Sequence, residues 1–204
     1  MARKFDELNL LSMDYEEYFG AMEISDSRKR RRIRLAEVLE DEIWAILALV
    51  AVQEAYSTVD WRNIQRQLED AYMRVLNTDN SIDEHLSEYV SNEAAQIAQT
   101  TRDHINEEFY TSYDRARLIA ENDANTIINY VENTEAVVQG KAHKTWCTML
   151  DERVRHSHLT LEGKTIPIGG IFEVGDSLMQ YPRDESLGAS VGEIANCRCS
   201  LRYS

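Results

Sequence analysis

The sequence predicts a mainly α protein, a long helical N-terminal body followed by a small α+β C-terminal module, and three observations predict it. Helix breakers are segregated: both prolines and seven of the eight glycines lie at or after Gly140. Before that point Ala, Leu, Glu, Arg and Gln dominate, and apolar residues recur three and four apart, as in Leu35, Leu39, Ile43, Ile46, Leu47 and Val50. After it, short apolar runs are broken by glycine, the pattern of strands and turns. The expected division is a helical body over residues 1–112 and a module over 113–204, the latter comprising a connecting helix over 113–140 and a small α+β unit over 141–204.

Taken in order, the periodicity predicts helices over roughly 5–22, 28–57, 60–76, 81–111 and 113–130. Asp60 stands before Trp61 as a candidate N-cap, Ser81 is followed by Glu84 at the capping-box spacing, and Asn77-Thr78-Asp79-Asn80 is turn-forming. A sixth, short helix is expected from about Lys141 to Val154. Strands are expected at Thr165-Ile166-Pro167-Ile168, Ile171-Phe172-Glu173-Val174 and Cys199-Ser200-Leu201-Arg202-Tyr203, with Gly169-Gly170 turning between the first two.

Composition excludes several classes. The 43% apolar share is enough to build a core. A formal charge of -14 argues against a protein that coats nucleic acid non-specifically, because phosphate binding is driven by positive charge and counterion release. The apolar run from Ile43 to Val52 falls well short of the roughly 20 residues that span a bilayer, so no membrane association is expected. Three cysteines make a poor disulfide framework, and the N-terminus lacks a secretory pattern, which points to a reducing cytoplasm.

One dense basic block interrupts this acidic chain: Arg28, Lys29, Arg30, Arg31, Arg32 and Arg34. It reads either as a solvated helix face, partly neutralised by Glu37, Glu40, Asp41 and Glu42, or as a contact strip for DNA or an acidic protein surface.

The candidate chemistry lies in the module. On an extended chain residues i and i+2 face the same way, so Cys197-Arg198-Cys199 presents two thiols together and His156 and His158 form a second such pair. Tetrahedral Zn²⁺ takes four Cys or His ligands, and His158, Cys197 and Cys199 with either Cys147 or His156 would complete a structural site. Against the metal stands the simpler role of buried cysteines as small apolar packing residues. An enzyme would use His156 or His158 as general base with Asp151, Glu152 or a metal-bound water, but no Gly-x-Ser-x-Gly, His-Glu-x-x-His or phosphate-cradling glycine loop accompanies them.

In the order Lys144-Thr145-Trp146, Asp151-Glu152-Arg153-Val154-Arg155, His158, Leu161-Glu162-Gly163-Lys164, Phe172, Pro182 and Asn196-Cys197-Arg198-Cys199, the module resembles the phage-Mu-F-like head-morphogenesis domain of minor head proteins. The likeness continues upstream through Arg115-Ala116-Arg117-Leu118-Ile119-Ala120 and Asn125, and departs where relatives carry Arg-Thr-Glu and this chain reads Glu121-Asn122-Asp123. Some relatives place Cys-x-x-Cys where Arg155 to His158 stand, which implies His158 rather than His156 as the partner of the two cysteines. The resemblance implies a structural phage protein of the virion, assembled in the host cytoplasm, that joins portal, capsid or scaffold partners and in some members contacts DNA. Self-association into a homo-oligomer fits the same reading, and the alternative is a His/Cys metal-dependent nuclease or other DNA-processing enzyme.

Within the module Trp146 is expected to pack with Leu150, Phe172 and Leu201. Arg155 and Arg198 are expected to pair with Asp151, Gly163 to adopt a positive φ, and Asn196 to lock its own turn through a side-chain to backbone bond.

Overall fold

A computed structural model describes residues 14–77 and 82–204. The expected helix start near residue 5 and the Ser81 capping box lie outside the described residues, as do Thr78, Asp79 and Asn80 of the turn. The elements run α1 (Tyr15–Gly20), α2 (Asp26–Ala55), α3 (Trp61–Leu76), α4 (Glu84–Asp103), a 3-10 turn (Glu108–Thr111), α5 (Tyr113–Val138), β1 (His143–Cys147), α6 (His156–Leu159), β2 (Thr165–Pro167), β3 (Phe172–Val174), β4 (Ser177–Met179), α7 (Val191–Ile194) and β5 (Ser200–Tyr203). No described helix is long and apolar enough to cross a membrane.

The chain forms two compact units whose boundaries fall inside α2 and α5. One comprises Arg34–Glu121, and every regular element among its described residues is a helix. Its core is the apolar stripe the periodicity predicts: Leu39, Ile43, Leu47 and Val50 of α2 are fully buried, as are Leu68 and Tyr72 of α3 and Ala94 of α4. Asp60 caps α3 by accepting from the Asn63 N–H at 3.2 Å. Helix α4 starts from Asp83, which accepts from the Leu86 N–H at 2.9 Å, and ends at Asp103 rather than near 111.

The other unit joins residues 14–33 to Asn122–Ser204. Its larger sheet has the order β2-β1-β5 with both pairings antiparallel, and β3 and β4 form a separate hairpin. The sixth helix expected over 141–154 is therefore a strand. Trp146 and Leu201 stand opposite each other in the β1–β5 register, and Thr145 and Thr165 hydroxyls bond across β1 and β2 at 2.8 Å. Threonine and tryptophan favour a pleated, half-buried surface, and two long-range partners decide the strand. The Gly169-Gly170 segment does turn, with the Gly170 N–H donating to the Pro167 carbonyl at 2.8 Å, but β2 and β3 on either side of it pair with other strands.

Trp146 centres the core of this unit, meeting Phe172 edge to face at 5.0 Å with Leu201 beside them. Leu150 does not join: it is exposed, with φ +53. Gly163 has φ +71 as expected, in the turn where its N–H donates to the Trp146 carbonyl at 3.0 Å.

Helix α5 buries polar residues where an amphipathic helix would bury apolar ones: Asn125, Thr126, Asn129 and Glu132 are all inside. The module explains this. Its strands are short and its connections long, and the carbonyls of Pro182, Cys197 and Cys199 take donors from the helix. Asn129 donates to the carbonyls of Cys199 at 3.1 Å and Pro182 at 3.3 Å. Arg183, with φ +70, donates to Thr126 Oγ1 and Asn122 Oδ1, both at 2.6 Å.

Candidate metal centre

Three buried side chains from two separate segments converge in the module. Helix α6 turns His158 inward, and the chain between α7 and β5 brings in Cys197 and Cys199. His158 Nδ1 lies 3.4 Å from Cys199 Sγ and 3.5 Å from Cys197 Sγ, and one ligand atom from each residue falls within 4.8 Å of the other two. Zn–S bonds near 2.3 Å and Zn–N bonds near 2.0 Å set the edge of a zinc tetrahedron at about 3.5 Å, so the donor set fits that metal.

The opposite ring nitrogen is held. His158 Nε2 lies 3.0 Å from Glu193 Oε2, and Glu193 also accepts from the Ser157 hydroxyl at 2.8 Å. A carboxylate on Nε2 fixes that nitrogen as the donor and leaves Nδ1 free to face the sulfurs. The indole of Trp146 meets the imidazole edge to face at 5.8 Å.

The three groups perturb one another's proton affinity. Burial pulls the His158 imidazole down, but the bond to Cys197 and the Glu193 carboxylate outweigh it and leave the group raised. The Cys197 thiol is held well below its ordinary range by the bond from Cys199, against burial and with help from His158. Cys199 is pushed well above its range by Cys197 and by burial, with the Trp146 N–H acting the other way. Metal ligation takes both sulfurs as thiolates, so an ion bound here would have to displace the proton that Cys199 holds.

The backbone carrying the thiols is tied down from α5. Asn125 Nδ2 donates to the carbonyls of Cys197 at 3.0 Å and Cys199 at 3.3 Å, and its Oδ1 accepts from Arg32 Nε at 3.1 Å. Asn196 adopts φ +54, and its Oδ1 accepts from Asn122 Nδ2 at 3.1 Å rather than from its own turn. Arg198 donates to both oxygens of Asp151 at 2.7 and 2.8 Å, as expected, whereas Arg155 donates to the Ala195 carbonyl instead.

Neither expected fourth ligand is in the cluster. His156 is exposed because residues 156–159 are helical, and on a helix positions i and i+2 point away from each other. Cys147 is buried at the end of β1, where its Sγ lies 3.7 Å from the Thr145 carbonyl and burial pushes its thiol up. Beside the triad, a cleft of about 10 Å³ lined by Arg153, Arg155, Asn196 and Arg198 has room for one water-sized group. Lys144 and Pro182, singled out by the sequence, sit in the scaffold: Lys144 is buried with Nζ 2.7 Å from the Gln180 carbonyl, and the Pro182 carbonyl serves Asn129.

Four of the six residues of the basic block find partners within the chain. Arg32 is fully buried and donates to both oxygens of Glu132 at 2.8 and 2.9 Å, and Arg28 pairs with the same carboxylate. Arg31 pairs with Glu135 at 3.0 Å, Lys29 Nζ reaches the Gly20 carbonyl at 2.6 Å, and Arg30 and Arg34 are exposed.

Sequence reasoning missed Glu193, which no motif marks. It also missed the role of Asn125 and Asn129, although Asn122, Asn125, Asn129 and Glu132 recur at helical spacing as a polar stripe. The family described as Phage Mu protein F like protein matches residues 63–202, well over half of the chain and including every residue of the triad. No curated protein and no solved structure matches the chain.

Proposed function

The chain belongs to the Phage Mu protein F like family, and from that premise we propose that it is a minor head protein, built into the virion during assembly in the host cytoplasm through contacts with portal, capsid or scaffold proteins. The family match over residues 63–202 carries this reading. The candidate site supports a structural role: the triad is buried and its cleft admits a water-sized group, too little for a substrate. In this reading His158, Cys197 and Cys199 hold one Zn²⁺ that staples α6 to β5, the help a module with short strands gains from a metal. The helical unit of Arg34–Glu121 supplies the surface for partners and for self-association.

Deleting the protein from its phage tests the proposal. Heads should fail to form or to mature, and the wild-type chain supplied in trans should appear in purified particles. Infectious heads of normal composition made without it would overturn the reading.

A second reading rests on one specific observation: three protein ligands and a water-sized space are also the layout of a catalytic zinc site with an open position. It is the His/Cys metal-dependent nuclease. Zinc-dependent cleavage of DNA by the purified chain, lost in His158→Ala, would establish it in place of the structural role.

A further inference from the structure

On the same unit, away from the triad, a cleft of about 400 Å³ opens between the first turns of α2, the last turns of α5 and the outer end of β5. Four cations line it: Arg28, Arg31, Lys141 and Arg202. Two carboxylates oppose them, and neither is free. Glu132 is buried beneath Arg28 and Arg32, and Glu135 pairs with Arg31 at 3.0 Å. Among the described residues Lys141 and Arg202 make no ion pair, so they leave an uncompensated positive charge in a chain whose total is -14. Ser27, Gln139 and Tyr203 add polar groups to the walls, and the Tyr203 hydroxyl is a buried oxygen with no hydrogen-bond partner.

We propose that this cleft binds an extended acidic segment of a protein partner, with Arg202 and Lys141 taking its carboxylates. Two features favour a peptide over a nucleic acid. A duplex is followed by a continuous row of free cations, and here the row on α2 is interrupted because Arg28 and Arg32 are committed inward to Glu132. The charge is also gathered in a concavity rather than spread over a face, and the hydroxyl and amide groups beside it suit the backbone of an extended chain. This surface is independent of metal at the triad, and its occupancy is measured on the purified protein without particle assembly, so its failure leaves the head-assembly reading standing.

The test uses the full chain and a fluorescein-labelled peptide of alternating Glu and Gly, followed by polarisation at low ionic strength. Two further probes are the same peptide with Gln for Glu and a DNA oligonucleotide of equal net charge. The proposal expects the Glu peptide to bind, the Gln peptide to fail, and Lys141→Glu and Arg202→Glu each to weaken binding about tenfold. Both residues lie at the rim, so the variants should fold, with circular dichroism as the check. Tighter binding of DNA than of the peptide overturns the proposal in favour of a phosphodiester ligand. Absence of peptide binding, or binding indifferent to both charge reversals, overturns it outright.

Discussion

Arg32 and Glu132 form a buried two-pronged ion pair, Nη1 to Oε1 at 2.9 Å and Nη2 to Oε2 at 2.8 Å, with 0% of the arginine side chain and 6% of the glutamate exposed. The pair ties the first turns of α2 to α5. Arg28 donates to the same carboxylate and also to the Leu201 carbonyl at 2.8 Å, so the clamp reaches β5. Removing one partner of such a pair leaves an uncompensated buried charge. Arg32→Met should therefore cost about 3 kcal/mol in urea unfolding, cushioned only by Arg28. A loss under about 1 kcal/mol would mean that Arg28 alone satisfies Glu132.

Acid should act on the same carboxylate. Burial alone would raise Glu132, but the hydrogen bonds and charges of Arg28 and Arg32 outweigh it and hold the group below its ordinary 4.5. A folded value below the unfolded one gives stability that is present above about pH 4.5 and is lost as pH falls through the folded value. Glu132→Gln should be less stable at neutral pH and should lose less on acidification. Parallel acid-side slopes in variant and wild type would remove Glu132 as the source.

How much of this was legible depends on how far apart the partners are in sequence. The helical stripes of α2, α3 and α4 were readable because each burial decision is made within a turn or two. Asp60 as a cap was local for the same reason. β1 was not readable as a strand because its partners Thr165–Pro167 and Ser200–Tyr203 are distant, and nothing between Lys141 and Val154 breaks a helix. The basic block read as either a solvated face or a contact strip because its answering acids, Glu132 and Glu135, lie on another helix. In the centre itself Cys197, Cys199 and His158 were legible from their types and spacing, whereas His156 and Cys147 were ambiguous until the local backbone was known: a single turn of helix at His156–Leu159 turns one histidine in and the other out.

Lys144 gives a pH dependence of the opposite kind. Burial pulls its ammonium down to about 8, with Asp184 acting weakly the other way. Because the folded value lies below the unfolded 10.5, the folded state binds fewer protons between those limits, and stability due to this residue rises with pH from about 8 to 10.5. The difference between wild type and Lys144→Met should carry this slope and be flat below pH 7. A difference that stays level throughout would show that the ammonium is as well solvated folded as unfolded.

Glu193 should matter to metal without being a ligand. Its contact with His158 Nε2 orients the ring toward the sulfurs, and loss of such an orienting group typically lowers metal affinity 10–100-fold. In competition with a chromophoric chelator, Glu193→Gln should bind zinc more weakly at unchanged stoichiometry, whereas Cys199→Ser should lose the site and make the fold insensitive to chelator. Equal affinity for Glu193→Gln and wild type would make the carboxylate a bystander.

The sharpest test of the link between α2 and the candidate metal centre is a change of one atom type at Asn125. Arg32 can only donate, so the Asn125 atom facing it at 3.1 Å is the oxygen, and the atom facing the Cys197 and Cys199 carbonyls is the amide nitrogen. Asn125→Asp keeps the shape and the acceptor for Arg32 but turns an oxygen toward two carbonyl oxygens. The new charge gains from the arginine while the two carbonyls lose their donor and meet a like dipole. An unsatisfied buried carbonyl costs about 1–3 kcal/mol, and here two share the loss, so the net should be destabilisation of about 2 kcal/mol with weaker zinc binding. Asn125→Leu, which removes both functions, should destabilise more because Arg32 then loses an acceptor as well. An Asn125→Asp protein as stable as wild type and equally tight for zinc would show that the carbonyls of the cysteine turn do not depend on α5 for their geometry.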